Sequence, residues 1–369
     1  MNFPAPVATQ EPVRVMLCDD SAVQRGIMAR ILETDPGIKI VHRAADGQAA
    51  LSALAVTKPQ VVLLDLEMPV MDGMTAIPLI LKQAPGTAII VASALTQRGA
   101  AAAMAALRAG AVDYVPKPQG SLGGAASPVF RDELIAKVQG WARMRRAPEQ
   151  RLRPPPPAPV TARPILRPAA RAMLPPRLLA IGSSTGGPQA LASFFKNLRP
   201  LPVPVAIVQH MPAGFTTMLA DHLDKLGVMP CAEAKHGEVM QPGRIYLAPG
   251  DHHLIVEGGI GDTLVTRLDT GAPVNYCRPA VDPMIQSAAR VCSGRVLGVI
   301  LTGMGQDGLE GCRSLVAKGG AVFAQDEASS VVWGMPGAVA RAGIATAQAP
   351  PEALAERILE IFKLPGAKT

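Results

Sequence analysis

Residues 13–21 read Val13-Arg14-Val15-Met16-Leu17-Cys18-Asp19-Asp20-Ser21, and residues 61–65 read Val61-Val62-Leu63-Leu64-Asp65. Each is a short apolar run that ends abruptly in carboxylates. Both read as strands, over 13–17 and 61–64, and the second by its composition as one buried on both faces. After the first, Ser21 is placed to cap a helix, and Val23, Ile27 and Ile31, with Met28 and Leu32, repeat at helical spacing. The alternation continues, with strands expected over 38–41, 88–92 and 112–115 and helices over 47–55, 76–82, 98–109 and 132–141. Five strand–helix units in this order predict one doubly wound, five-stranded parallel sheet.

A second α/β pattern begins at residue 178. Strands are expected over 178–182, 203–208, 296–301 and 321–324, and helices over 188–198, 215–226, 281–291, 309–318 and 351–362. Residues 244–247, 254–257 and 263–268 read as β structure with Gly-containing turns. The expectation is a mostly parallel sheet with an antiparallel insertion. Between the halves, residues 143–177 hold ten prolines, nine Arg and one Glu. Proline removes backbone donors, and like charges repel, so this stretch reads as an exposed linker. The expected division is therefore a tail at 1–12, a first domain at 13–142, the linker at 143–177 and a second domain at 178–369.

The linker also explains the charge. It carries +8 of a formal +7, leaving −1 for the remainder. Only 3% of residues are aromatic, so a base-stacking surface is not expected and neither is nucleic-acid binding. No apolar run reaches the ~18–20 residues that span a bilayer, and the first ten residues lack a secretory pattern, so a cytoplasmic protein is expected. Five widely spaced cysteines without a CxxC pair predict neither a disulfide framework nor a zinc site.

Asp19 and Asp20 follow the first strand and Asp65 ends the third. In a doubly wound sheet these strand ends lie side by side. Three clustered carboxylates repel one another unless a cation joins them, and their hard oxygens suit Mg²⁺. Ser93 closes the fourth strand and Lys117 follows the fifth, on the same edge. A hydroxyl and an ammonium there would stabilise charge on a phosphoryl group moving to a carboxylate. The segments Val-Met-Leu-Cys-Asp-Asp-Ser, Leu-Leu-Asp-Leu-Glu-Met-Pro-Val-Met-Asp-Gly and Val-Pro-Lys-Pro resemble the receiver domains of two-component response regulators. The resemblance implies Asp65 as phosphoacceptor, Asp19 and Asp20 as Mg²⁺ holders with it, Ser93 as switch hydroxyl and Lys117 as phosphate-binding lysine. It also implies a cis bond between Lys117 and Pro118 and places Tyr114 at an aromatic switch position.

In the second half, Gly182-Ser183-Ser184-Thr185-Gly186-Gly187-Pro188 lies between a strand and a helix. The spacing does not fit a dinucleotide fingerprint, and no Lys precedes a Ser/Thr as a phosphate loop needs. Gly182-x-Ser184-x-Gly186 fits a nucleophile elbow, although a plain structural turn has the same signature. His210 ends the next strand and could serve as base. Asp307 follows Leu301-Thr302-Gly303-Met304-Gly305-Gln306 at another strand end and could orient it. His252 and His253, being adjacent on an expected strand, do not suit one metal. Asp326 and Glu327 are rival carboxylates of lower rank.

The chain order Ser, His, Asp differs from that of α/β-hydrolases. That order, with Gly-Ser-Ser-Thr-Gly-Gly-Pro, Gln-His-Met-Pro-Ala-Gly-Phe-Thr, Ile-Tyr-Leu-Ala-Pro-Gly-Asp-His-His-Leu and Leu-Thr-Gly-Met-Gly-Gln-Asp-Gly, resembles the CheB-type chemotaxis protein-glutamate methylesterases over nearly the whole chain. The resemblance implies Ser184 as nucleophile, His210 as general acid–base, Asp307 as orienter and the Met304 backbone N–H as part of an oxyanion hole. Three positions depart from the family pattern. Ser183 stands where Ala is usual, Cys277 where His is common, and Ala280 where Ser is usual. The implied activity is hydrolysis of glutamate methyl esters on chemoreceptors, with deamidation of receptor glutamines beside it and no cofactor for the ester step. The implied partners are methylated chemoreceptors and a cognate histidine kinase. An unphosphorylated receiver is expected to restrict the serine cleft, and phosphorylation of Asp65 to open it. A non-catalytic docking protein and a transcriptional regulator are weaker readings; the first lacks a reason for an intact triad and the second a DNA-binding half.

Overall fold

The computed structural model describes residues 11–117, 128–145 and 175–363. The chain forms two compact units. The N-terminal half of the chain alternates strictly. Its elements are β1 (Val13–Cys18), α1 (Ala22–Leu32), β2 (Ile38–Ala44), α2 (Gly47–Thr57), β3 (Val61–Asp65), α3 (Gly73–Gln83), β4 (Ala88–Ser93), α4 (Gln97–Ala109), β5 (Asp113–Pro116) and α5 (Pro128–Arg145). All strands are parallel, in the order β2-β1-β3-β4-β5. The order reverses between β1 and β3, so the ends carrying Asp19 and Asp65 flank the crevice where such sheets bind ligands. Side-chain caps start α1 to α4: Ser21 accepts from Gln24 N, Asp46 from Ala49 N, Asp72 from Thr75 N and Thr96 from Gly99 N. The Asp72 cap explains why α3 begins at Gly73, three residues ahead of the expected start.

Tyr114 is buried in β5, 5% exposed. The ammonium of Lys137 sits 5.0 Å from its ring centroid. Pro118, and with it the expected cis bond, lies outside the described residues, as does most of the expected linker. Within that linker, residues 143–145 belong to α5.

The second unit contains β6 (Leu178–Ser183), α6 (Gly187–Lys196), β7 (Val205–Gln209), α7 (Phe215–Asp224), β8 (Cys231–Glu233), β9 (Ile245–Leu247), β10 (His253–Gly258), β11 (Leu264–Asp269), α8 (Val281–Val291), β12 (Val296–Ile300), α9 (Leu309–Ala317), β13 (Ala321–Gln325), α10 (Met335–Arg341), β14 (Ala347–Ala349) and α11 (Pro351–Ile361). Seven strands form one parallel sheet in the order β14-β13-β12-β6-β7-β9-β8. The segment expected over 244–247 is therefore not part of the antiparallel insertion. It supplies β9, beside β7. The insertion is the hairpin β10–β11 alone, a separate two-stranded sheet. Leu254, Val256 and Leu264 of the hairpin join Met284, Ile285 and Ala288 of α8 in the same buried core, which gives its apolar face a place to go. The chain leaves β6 for β7 on one side and returns to β12 on the other, so β6 marks the switch point of this sheet too. Among the described residues no helix is long and apolar enough to cross a membrane.

Candidate active site and phosphoacceptor site

The turn after β6 carries Ser184. Gly186 adopts φ +74°, which lets the chain reverse tightly into α6. The backbone of Ser184 is held on two sides. Its N–H donates to the Thr302 carbonyl at 3.0 Å, and its carbonyl accepts from Gln209 Nε2 at 2.8 Å. The Ser183 hydroxyl donates to Gln209 Oε1 at 2.7 Å, so the departure from Ala at this position adds a buried hydrogen bond beneath the turn. Gly303 lies directly against Ser184. A Cβ there would stand 2.8 Å from the Ser184 Cβ and 2.4 Å from the Met335 sulfur.

His210 follows β7, next to β6, and its N–H donates to the Ser183 carbonyl at 3.1 Å. Asp307 follows β12, on the other side of β6. Asp307 Oδ2 meets His210 Nε2 at 2.8 Å and accepts from the Val281 N–H at 2.6 Å. Asp307 Oδ1 accepts from Asn275 Nδ2 at 3.0 Å, from the Asp282 N–H at 3.2 Å and from the Gly308 N–H at 2.9 Å. Two of these donors open α8, whose positive dipole end favours a carboxylate. Burial works to raise the Asp307 carboxyl, but His210 and these donors hold it below its ordinary value. Burial likewise works to lower His210, yet its hydrogen bonds to Asp307 and Cys277 push it up to about 10. Asp282, buried beside Asp307, is pushed up to about 6 by burial and then by the Asp307 charge, with the Gly311 N–H opposing.

The structure thus brings His210 and Asp307 into direct contact and puts Ser184 on the adjoining strand end. Among the described residues the Ser184 hydroxyl makes no hydrogen bond, and the other ring nitrogen, His210 Nδ1, faces Cys277 Sγ at 3.5 Å. Met304 follows Gly303, whose N–H and carbonyl are engaged with the 332–335 segment; the Met304 N–H makes no hydrogen bond among the described residues. Asp326 caps the turn at Ser329 instead of approaching His210. His252 Nδ1 pairs with the Gly250 carbonyl. His253 is buried between the Ala272 carbonyl and the Ala280 N–H. Neither histidine is part of a metal cluster among the described residues. Gln209, Asn275 and Cys277 carry no sequence pattern that marks them as site residues. Gln209 immediately precedes His210 within the quoted Gln-His-Met-Pro segment, and Cys277 was visible only as a departure from a pattern.

In the first unit, Asp19, Asp20 and Asp65 offer carboxylate oxygens within 4.8 Å of one another. Lys117 Nζ stands 2.6 Å from Asp65 Oδ2 and 3.0 Å from Asp19 Oδ2. Burial raises the Asp65 carboxyl, against the pull of Lys117. Ser93, buried, ends β4 beside them. An all-oxygen donor set of three carboxylates fits a hard divalent cation.

Residues 179–358 match the family described as CheB methylesterase, and residues 15–122 match the response regulator receiver domain. The chain is 50% identical over 365 residues to a protein of Azospirillum brasilense named protein-glutamate methylesterase/protein-glutamine glutaminase, covering 95% of this chain and 92% of that one. It is 46% identical over 378 residues to a protein of the same name, numbered 1, from Paramagnetospirillum magneticum, covering 98% and 99%. Among solved structures it is similar to the Thermotoga maritima CheB methylesterase catalytic domain, with 40% identity, TM-score 0.49, and 51% of this chain against 100% of that one. It is also similar to the response regulator domain of Thermotoga maritima CheB, with 38% identity, TM-score 0.31, and 36% against 97%. With both units matched in order and half of all positions identical along almost the full length of a relative, this chain belongs to the CheB methylesterase family, with its receiver domain at the N-terminal side.

Proposed function

We propose that this chain is a phosphorylation-controlled protein-glutamate methylesterase that also deamidates glutamine side chains, acting on methylated chemoreceptors in chemotactic adaptation. The observation that carries the reading is the buried Asp307–His210 pair set beside the Ser184 turn, on three neighbouring strand ends of one sheet. Ser184 is the nucleophile that attacks the γ-carbonyl carbon of the methylated glutamate. With Nε2 committed to Asp307, His210 takes the serine proton at Nδ1. The Met304 N–H, which makes no hydrogen bond among the described residues, donates to the carbonyl oxygen as it gains charge. The C–O bond to the methyl group's oxygen breaks, methoxide takes the proton back from His210, and methanol leaves. Water then gives its proton to His210 and attacks the acyl carbon, restoring Ser184 and freeing glutamate. A glutamine side chain passes through the same tetrahedral geometry and releases ammonia.

In the receiver domain, Asp65 is the proposed phosphoacceptor, with a histidine kinase as donor. Asp19, Asp20 and Asp65 would hold Mg²⁺, which when bound neutralises charge on the phosphoryl oxygens. Lys117 contributes a second positive charge to that group and the Ser93 hydroxyl a hydrogen bond. Phosphorylation is proposed to shift the chain toward its active population. The domain bounds proposed for this division remain 13–142 and 178–369, joined by 143–177.

The test is methanol release from membranes carrying radiolabelled methylated receptors, with wild type and Ser184→Ala, each with and without a small phosphodonor. Release stimulated by phosphodonor and lost in Ser184→Ala is expected. Equal release from Ser184→Ala would remove the serine from its role, and equal release from Asp65→Asn with phosphodonor would remove the control.

A further inference from the structure

Cys277 is the half-buried cysteine of this chain; Cys18, Cys231, Cys292 and Cys312 are buried. It closes a tight turn. The Val274 N–H donates to the Cys277 carbonyl at 3.0 Å, and the Cys277 N–H donates back to the Val274 carbonyl at 2.9 Å. The two central residues, Asn275 and Tyr276, have φ of 51° and 63°, the left-handed pair of a hairpin-type turn. Tyr276 points outward, 90% exposed, while its neighbours turn in. Asn275 Nδ2 bridges Asp307 Oδ1 and Asp282 Oδ2 at 3.0 Å each. Cys277 Sγ reaches His210 Nδ1 at 3.5 Å. A single turn thus grips both members of the His–Asp pair, and it does so with a thiol where the family commonly has His.

We propose that Cys277 is a positioning residue of the esterase site, its thiol holding Nδ1 of His210 while Asp307 holds Nε2. This rests on the functional reading above. Toward the neutral ring the S–H donates to Nδ1. Toward the imidazolium the sulfur accepts from the Nδ1–H. Both ring nitrogens therefore keep a partner while the proton is on loan from serine. Sulfur is a weak donor and a weak acceptor, so the contact yields when the Ser184 hydroxyl or a leaving methoxide needs the same nitrogen. The thiol also sits where any group added to it would crowd the ring. Its partnership favours the protonated ring, in line with the raised His210 value.

The experiment uses the full chain as wild type, Cys277→Ala and Cys277→Ser, with kcat/KM for methanol release followed from about pH 5 to about pH 10. Cys277→Ala is expected to move the acid limb to lower pH and to lower kcat several-fold. Cys277→Ser, whose hydroxyl can donate and accept in the same place, is expected to bring the limb back toward wild type. In parallel, N-ethylmaleimide is added. The Cys277 sulfur forms a bond to one alkene carbon and the thiol proton ends on the other. Wild type should lose activity in step with the adduct at Cys277, read by peptide mass spectrometry, and Cys277→Ser should keep its own untreated activity. Superimposable acid limbs for all three proteins, or full activity in wild type carrying the adduct, would overturn the inference while leaving a Ser184-dependent esterase standing. A wild type that releases no methanol at any pH would overturn the esterase reading and this inference with it.

Discussion

Asp307 Oδ2 lies 2.8 Å from His210 Nε2 and 2.6 Å from the Val281 N–H, in a carboxylate only 2% exposed. The acid therefore reads the ring through one oxygen while the start of α8 fixes that oxygen in place. Asp307→Asn would keep the shape but present an N–H₂ or a single oxygen. With N–H₂ toward Nε2 the ring must carry its proton on Nδ1, the nitrogen that has to accept from Ser184. We expect kcat to fall about 10³–10⁴-fold, by analogy with the wrong-tautomer effect in serine proteases. A variant within tenfold of wild type would show that Asp307 does not orient the base.

The same pair predicts a split between the pH of greatest stability and that of greatest activity. His210 is raised to about 10 and Asp307 is held below its ordinary value of 3.8. For the histidine, the stabilising contribution is complete below the unfolded value of about 6.5 and disappears as pH rises through about 10. For the carboxylate, the contribution is present above 3.8 and disappears as pH falls through its lower folded value. The pair therefore stabilises most between about pH 4 and about 6.5. Catalysis needs the neutral ring, so kcat/KM should climb from neutral pH toward about 10. Urea midpoints and kcat/KM on one pH series test this. A rate that is flat above pH ~6.5 would mean an unraised base.

The strand ends that carry these groups were legible because each is an apolar run stopped by a polar residue. Val61–Asp65 and Leu178–Ser183 announce both the strand and the site that follows it. Three-residue strands such as Cys231–Glu233 and Ala347–Ala349 show no period and were missed. The pairing of 244–247 is not legible in the sequence, because a short apolar strand has the same pattern whether its neighbour is parallel or antiparallel. Cys277 lies 67 residues after His210 in sequence. Its meeting with Nδ1 depends on two consecutive left-handed residues, which side-chain patterning does not encode. Gln209 was hidden by rank, since a glutamine before a candidate base looks like any strand-end polar residue until its amide is seen spanning Ser183 and Ser184.

Gly303 tests how closely the elbow is packed. A methyl group added there would stand 2.8 Å from the Ser184 Cβ and 2.4 Å from the Met335 sulfur. The thioether can move, but the Ser184 backbone is tied to Thr302 and Gln209. Gly303→Ala should displace the nucleophile and the neighbouring Met304 N–H together. Overpacking of this kind costs about 1–3 kcal/mol of stability, and misplacement of a reacting group by about 1 Å can cost ~10²-fold in rate. Methanol release and thermal unfolding of the purified variant measure both. Wild-type rate with unchanged melting would mean the strand end yields freely.

Asp65 and Lys117, 2.6 Å apart, carry a prediction for the receiver domain. Burial raises Asp65, so the charged carboxylate is held at a cost that grows as pH rises above its unfolded value. Asp65→Asn should therefore raise the urea midpoint at neutral pH while abolishing phosphoryl uptake from a small phosphodonor. A lower midpoint would mean that the Lys117 ion pair outweighs burial.

Lys137 of α5 gives the sharpest stability test. Its side chain is 4% exposed, and Nζ donates to the Tyr114 carbonyl at 2.6 Å, with Glu133 at 2.9 Å and Asp113 at 3.5 Å. Asp113, 3% exposed, also accepts from Trp141 Nε1 at 3.0 Å. The lysine thus joins β5 to α5 through charge as well as packing. Burial works against its ammonium, and Asp113 and Glu133 more than restore it. Lys137→Met fills the space but takes the Lys137 ammonium away from the buried Asp113 carboxylate, so about 3–5 kcal/mol should be lost. Asp113→Asn in the Lys137→Met background should recover part of that loss, because the buried charge is gone and the Trp141 bond can persist. The double-mutant cycle is expected to be non-additive by about 0.5–3 kcal/mol. Additive losses in urea denaturation would mean that Asp113 is held by donors such as the Trp141 indole and the Tyr114 N–H, and that the buried ammonium is held by the Tyr114 carbonyl and Glu133.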